Sequence, residues 1–144
     1  MERTLAILKP DCVKGNLTGK VLDKIIQAGF SIIALKMIQM TPSAARAFYA
    51  VHEGKNFFPE LIDFMTEAPC IVAVLEKENA VEDYRALMGA TDPQEAAAGT
   101  IRKEFAENIS RNVVHGSDSR ENAKREVSFF FSESELVGAT SKPD

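Results

Sequence analysis

Thr4 to Lys9, written TLAILK, is a nearly unbroken apolar run closed by Pro10. Such a run predicts a buried strand. The residue before a proline is pushed toward extended backbone, so Lys9 falls at the strand end. The period then changes. Leu17, Val21, Leu22, Ile25 and Ala28 recur at helical spacing, and Gly29 stops that helix. Phe30 to Met40 (FSIIALKMIQM) is rich in Ile and reads as a long strand. Thr41-Pro42 supplies a capping hydroxyl and a first-turn proline, and Ala44, Phe48 and Val51 form the apolar stripe that follows. Phe58, Leu61, Ile62 and Met65 mark another short helix. Cys70 to Leu75 (CIVAVL) predicts a second buried strand.

Asn79, with Glu82 three residues on, resembles a capping box, and Val81, Tyr84 and Met88 make the inner face of the helix it opens. Gly89 to Asn112 is a long connection with one helical pattern, near Thr100 to Ala106. Long irregular connections in compact domains are usually functional. Asn112 to His115 is a short strand, and Asp118 with Glu121 can cap a last helix whose Ala123, Val127 and Phe130 face inward. From Ser132 the chain is polar and weakly patterned. Two split strand-helix-strand units in this order predict a ferredoxin-like α+β domain, βαββαβ, spanning residues 1–144. Its four-stranded antiparallel sheet carries helices on one face and an inserted loop.

Composition narrows the partners. The chain is 45% apolar and 26% charged, so a folded core is expected rather than disorder. A net charge of −4 argues against general nucleic-acid binding through a basic face. Cys12 and Cys70 match no metal or redox spacing and suit a reducing compartment. The opening MERTLAILKPD reaches charge too soon for a signal peptide, and no apolar run approaches the roughly 20 residues that span a bilayer. A cytoplasmic protein without a membrane anchor is expected.

The chemistry gathers around NVVHGSD, Asn112 to Asp118. A packed core histidine is the competing reading of His115. A nucleophilic histidine needs one nitrogen free and the other held by an acceptor, best a carboxylate. Asp118, Glu121 and Glu126 are all candidates for that carboxylate. Gly116 beside the ring removes bulk and permits a sharp turn. A metal site is not expected, because His52 is the only other histidine and neither has ligand spacing around it. Lys9, Arg85 and Arg102 are candidate phosphate ligands, with the Thr91 hydroxyl beside them, although each cation alone reads first as a solvated surface charge. Neither GxxxxGK[ST] nor GxGxxG is present, so phosphate binding falls to side chains. Of Phe57-Phe58, one ring can pack in the core and the other stack on a base.

Together these residues resemble the nucleoside diphosphate kinase family, from Glu2 to about Val137. The most specific stretch is NVVHGSDS, in which the family's phosphorylated histidine falls on His115. ERTLAILKPD, the FF pair, RALMGATDP and GTIR support it in the same order along the chain. The resemblance implies a γ-phosphate transfer from a nucleoside triphosphate to a nucleoside diphosphate by a ping-pong route. It places Nδ1 of His115 as nucleophile, Glu126 on its other nitrogen, and Ser117 behind Glu126. It sets Lys9, Tyr49, Arg85, Thr91 and Arg102 around the phosphates, and Asn112 with Lys9 at the sugar 3′-hydroxyl. Phe57 and Ile109 would cover the two faces of the base. Mg²⁺ would arrive through the nucleotide phosphates.

The stretch from about Asp92 to Asn112, with Pro93, resembles the family's subunit-contact loop, so a homohexamer or homotetramer is implied. No membrane and no obligatory nucleic acid enter. Cys12 departs from the Gly or Ala common in the family, and predicts an enzyme sensitive to oxidation. A non-catalytic nucleotide- or RNA-binding module is the competing class, and it needs aromatics on an open, basic sheet face. A regulatory phosphotransferase passing its phosphate to proteins is a third.

Overall fold

The computed structural model describes residues 1–138. β1 (Glu2–Leu8) leads through α1 (Pro10–Lys14) and α2 (Thr18–Gln27) to β2 (Ser31–Ile38). α3 (Pro42–Phe48) and α4 (Phe58–Thr66) precede β3 (Cys70–Lys77). α5 (Ala80–Met88), α6 (Ile101–Phe105), β4 (Val114–Gly116) and α7 (Arg120–Phe130) complete the order. The strands lie in the order β2-β3-β1-β4, and every neighbouring pair is antiparallel. This is the expected ferredoxin-like sheet.

The helices divide between two faces, where one face was expected. Ala6 and Leu8 of β1, with Ile71, Ala73 and Leu75 of β3, pack under α2 and α5. Leu5 and Ile7, with Cys70, Val72 and Val74, pack under α3, α4 and the end of α7. Successive strand residues point to opposite faces, so a strand without polar alternation needs cover on both. TLAIL and CIVAVL are such strands. Among the described residues only the edge strand β2 leaves large apolar side chains in the open, Leu35 and Met37, and neither is the aromatic that the competing RNA-binding module needs. Among the described residues no helix is long and apolar enough to cross a membrane.

Thr41 caps α3 as expected, its Oγ1 accepting from the Ala44 N–H at 3.1 Å. The buried stripe of that helix is Ala45 and Phe48, while Val51 lies beyond its end and is exposed. α1 was not anticipated, because PDCVK is too short to show a period. Asn79 does not cap α5. Its backbone is left-handed, with φ 60°, and its side chain makes no capping bond. The carboxylate of Glu2 takes that place, accepting from the Val81 N–H at 2.8 Å. Its second oxygen meets Arg120 at 3.1 Å. Ser119 rather than Asp118 caps α7, accepting from the Asn122 N–H at 3.0 Å. Ser132 and Glu135 form a capping box on a single turn where only a weakly patterned tail was expected, and residues 139–144 of that tail lie outside the described residues.

Candidate active site

Pro10 occupies the first turn of α1 and holds Lys9 extended at the end of β1, with φ −71° and ψ 168°. The Lys9 ammonium is buried and donates to Asn112 Oδ1 at 2.8 Å. An ammonium can only donate, which fixes the Asn112 amide; its Nδ2 then donates to the Ile109 carbonyl at 2.9 Å. Burial, and then the charge of Arg102, bring the Lys9 pKa down to about 8 against a partial lift from Asp11.

Arg102 is buried and already engaged. It donates to the carbonyls of Gly89 at 3.0 Å and Val114 at 2.8 Å, and through Nε to that of Asn112 at 3.4 Å. Thr100 caps the short helix that carries it, accepting from the Lys103 N–H at 3.2 Å. Gly89 makes this approach possible. It has φ 87°, and a Cβ there would lie 2.5 Å from Thr100 Oγ1.

The chain between Asn112 and Val114 makes a γ-turn, in which the Val114 N–H donates to the Asn112 carbonyl at 2.8 Å. Val113, at its centre, has φ 62°. A β-branched residue in that region is a true outlier, costing on the order of 1–3 kcal/mol. Both its polar groups are fastened. Its carbonyl accepts from the Lys9 N–H at 2.8 Å, and its N–H donates to Asp11 Oδ2 at 3.1 Å.

The turn delivers His115 into β4, opposite Ile7 of β1. Of the three candidate carboxylates, Glu126 is the one bonded to the ring, Oε1 lying 2.9 Å from Nε2. A carboxylate only accepts, so Nε2 carries the hydrogen and neutral imidazole keeps its lone pair on Nδ1. Ser117 donates to the same Oε1 at 2.8 Å, and its oxygen accepts from the Leu5 N–H at 3.1 Å. Glu126 is thus tied back to the central strand. Gly116 serves packing rather than a turn. A Cβ would meet the Tyr84 ring at 2.6 Å and the Met88 methyl at 2.8 Å. Phe48 approaches the other side of His115 edge-on, with centroids 5.7 Å apart.

A cavity of about 180 Å³ opens beside the ring, and Lys9, Arg85, Thr91, Arg102 and His115 share its wall. Met88, Gly89, Ala90 and Gly116 complete it. Three cations around one imidazole, in a chain of net charge −4, make a site for a polyanion. The family model for nucleoside diphosphate kinase matches residues 2–136. The chain belongs to the nucleoside diphosphate kinase family. It is a family of enzymes that act on nucleotides, and this chain is a phosphotransferase of that kind.

A nucleoside diphosphate kinase of Salinibacter ruber is 58% identical over 139 residues, 96% of this chain and 98% of that protein. One of Chloroherpeton thalassium is 58% identical over 137 residues, 95% of this chain and 97% of the relative. Among solved structures, the nucleoside diphosphate kinase of Aquifex aeolicus superposes with a TM-score of 0.92 at 46% identity, covering 94% of this chain and 99% of that one. The halophilic nucleoside diphosphate kinase of Halobacterium salinarum, solved in complex with CDP, also gives 0.92, at 37% identity over 95% of this chain and 91% of that one.

The remaining residues expected from the nucleoside diphosphate kinase resemblance lie off the cavity wall. Phe57 and Ile109 are 47% and 55% exposed, one before α4 and one in the loop leading to Asn112. Phe58 packs against the core, so the pair divides as the stacking reading requires. Tyr49 is buried, edge-on to Phe48 at 4.9 Å, and its hydroxyl has no partner among the described residues. Burial, then the neighbouring Cys70 and Glu126, push that phenol far above its usual pKa. Cys12 lies in the core, and burial followed by Asp11 pushes its thiol up to about 12. An enclosed thiol that cannot ionise resists oxidation, so the expected oxidation sensitivity is withdrawn. Gly89, Met88 and the bond from Val113 to Asp11 were not foreseen; the Gly that ends α5 in RALMGATD was the one available signal. No group of three His, Cys, Asp or Glu side chains that could hold a metal occurs among the described residues.

Proposed function

We propose that this enzyme transfers the γ-phosphate of a nucleoside triphosphate to a nucleoside diphosphate in two half-reactions through a phosphohistidine at His115. The observation that carries the reading is the His115 ring, whose Nε2 is held by Glu126 at 2.9 Å while the ring itself walls a cavity of cations.

In the first half-reaction the Nδ1 lone pair attacks the γ-phosphorus in line. A nitrogen–phosphorus bond forms, the bond to the β,γ-bridging oxygen breaks, and the nucleoside diphosphate leaves with that electron pair. The ring becomes cationic, and its Nε2 proton stays in the bond to Glu126. Glu126 balances the new charge, and Ser117 keeps the carboxylate aimed. A second diphosphate then reverses the step. Phosphoryl transfer depends on positioning and charge stabilisation. Lys9, Arg85 and Arg102 supply the charge, and Thr91 a hydroxyl donor. Lys9 and Asn112, already bonded to each other, would receive the sugar 3′-hydroxyl. Phe57 and Ile109 would cover the base, and stacking without base-edge hydrogen bonds tolerates every base.

Cations on the cavity wall repel a free metal ion, so Mg²⁺ fits this site only with its ligands supplied by the phosphates. When bound it neutralises part of the phosphate charge. The subunit-contact loop inferred between Asp92 and Asn112, and the family resemblance, point to a homohexamer or homotetramer. The two buried thiols suit the cytoplasm.

The test is a labelling experiment. The protein is mixed with Mg²⁺ and γ-labelled ATP without acceptor, the label is mapped by peptide, and GDP is added. Acid-labile, base-stable label on His115 that moves to GTP is expected. A folded protein that binds ATP and takes no label would overturn the reading.

A further inference from the structure

We propose that Asp11 is a positioning residue for phosphoryl transfer, anchoring the strained turn at Val113 that sets Asn112 and His115 in register; this rests on His115 as the phosphate acceptor. Asp11 does not line the cavity. Its Oδ2 accepts the Val113 N–H across 102 residues of sequence, at 3.1 Å.

Three groups hold the turn. The Lys9 N–H grips the Val113 carbonyl, and Arg102 grips the carbonyls of Asn112 and Val114. These two hold oxygens alone. Asp11 is the group that holds an N–H, and the residue it holds is the one with φ 62°. Without that bond a Val backbone gains by leaving the left-handed region. Moving Val113 turns the peptide planes on either side, which carry Asn112 into its bond with Lys9 and His115 into β4.

A neutral acceptor could make the same bond, so the carboxylate is informative. Its Oδ1 is buried without a partner among the described residues. Burial accordingly raises the Asp11 pKa, opposed by the Val113 bond and by the charges of Lys9 and Arg111. In return, its charge favours the ammonium of Lys9. Asp11 therefore acts on both sides of the cavity from behind it, through the turn and through Lys9.

The experiment is the single-turnover rate of His115 phosphorylation at saturating MgATP and pH 7, with thermal melts, for wild type, Asp11→Ala, Asp11→Asn, Val113→Gly and the Asp11→Ala/Val113→Gly double variant. Asp11→Ala is expected to lower the saturated rate by about tenfold or more, because displacements near 1 Å are costly in phosphoryl transfer. Half-saturation by ATP should change by less than about threefold, the split that marks positioning rather than binding. Asp11→Asn keeps an acceptor and should recover most of the rate. Val113→Gly should do the same in the Asp11→Ala background, since glycine adopts positive φ without strain. If Asp11→Ala does not fold, the double variant and Asp11→Asn carry the comparison. A rate within twofold of wild type in Asp11→Ala, or Asp11→Asn and the double variant both as slow as a tenfold-impaired Asp11→Ala, overturns the proposal. Wild-type label found away from His115 overturns the reading of the site and this proposal with it.

Discussion

The two ends of the proposed nucleotide site are built differently. At the proposed phosphate end Lys9, Arg102 and His115 are fastened before any ligand arrives. Lys9 is tied to Asn112, Arg102 to three carbonyls, and His115 through Glu126 and Ser117 to β1. At the proposed base end Phe57 and Ile109 stand half exposed on separate loops. The difference teaches which end discriminates. Prearranged donors cost no reorganisation at the moment of reaction, so binding energy can go to the transition state. An open pair of apolar surfaces gives area without direction, which on the proposed reading would accept any base.

If the fastened end carries the chemistry, breaking it should remove turnover and leave binding. His115→Ala should lower kcat by about 10⁴-fold or more, as loss of a nucleophile does, with ADP affinity by calorimetry nearly unchanged. Near-normal kcat in this variant would dissolve the comparison. Glu126→Gln keeps the shape and loses the charge; a fall of about 10²-fold in kcat is expected, read in the same assay.

The next effect is electrostatic. Nucleotide phosphates favour protonated Lys9, whose pKa in the empty site is about 8. Binding should therefore take up a proton near that pH, and ADP affinity should fall by about tenfold from pH 7 to 9. Calorimetry in buffers of different ionisation enthalpy reads the uptake, and a flat affinity across this range would remove Lys9 from the phosphate end. Stability runs the other way. Above about 8 the unfolded chain holds a proton that folded Lys9 has lost, so this residue's burial cost shrinks as pH rises toward the unfolded value.

The open end should show the reverse pattern. Phe57→Ala is expected to raise KM for several nucleotides by about fivefold, within the roughly 1–3 kcal/mol of a stacked base, while kcat stays within about twofold. A large loss confined to one base would show that this end discriminates after all. The smallest effect belongs to Cys12→Ala: wild type and variant should lose activity to peroxide equally, because the thiol is enclosed and its pKa lies near 12.

Much of this was legible in the chain, for physical reasons that differ by residue. TLAIL and CIVAVL announced central strands because an unbroken apolar run has few other uses. The same absence of alternation implied cover on both faces, a consequence the strand-helix count alone obscured. His115, Lys9 and Arg102 could be picked out by type and neighbours. Their partners could not. Glu126 rather than Asp118 or Glu121 meets the ring because it stands on the buried side of α7, the helix that packs against β1, and no spacing rule encodes where a helix packs. The γ-turn was invisible too, since Val is the last residue from which positive φ would be read. Its causes, Asp11 and Arg102, lie elsewhere in the sequence.

Glu2 joins the starts of α5 and α7 to the first residue of β1, while Lys9 stands just past the other end of that strand. At roughly 3.3 Å per residue the span between them is about 23 Å. β1 thus acts as a gauge rod, with a helix anchor at one tip and a cavity-wall charge at the other. Its tolerance is zero residues. An insertion or deletion would shift Lys9 off the cavity and exchange the two faces of the strand together, so β1 is a segment whose length, more than its composition, the activity would hold constant.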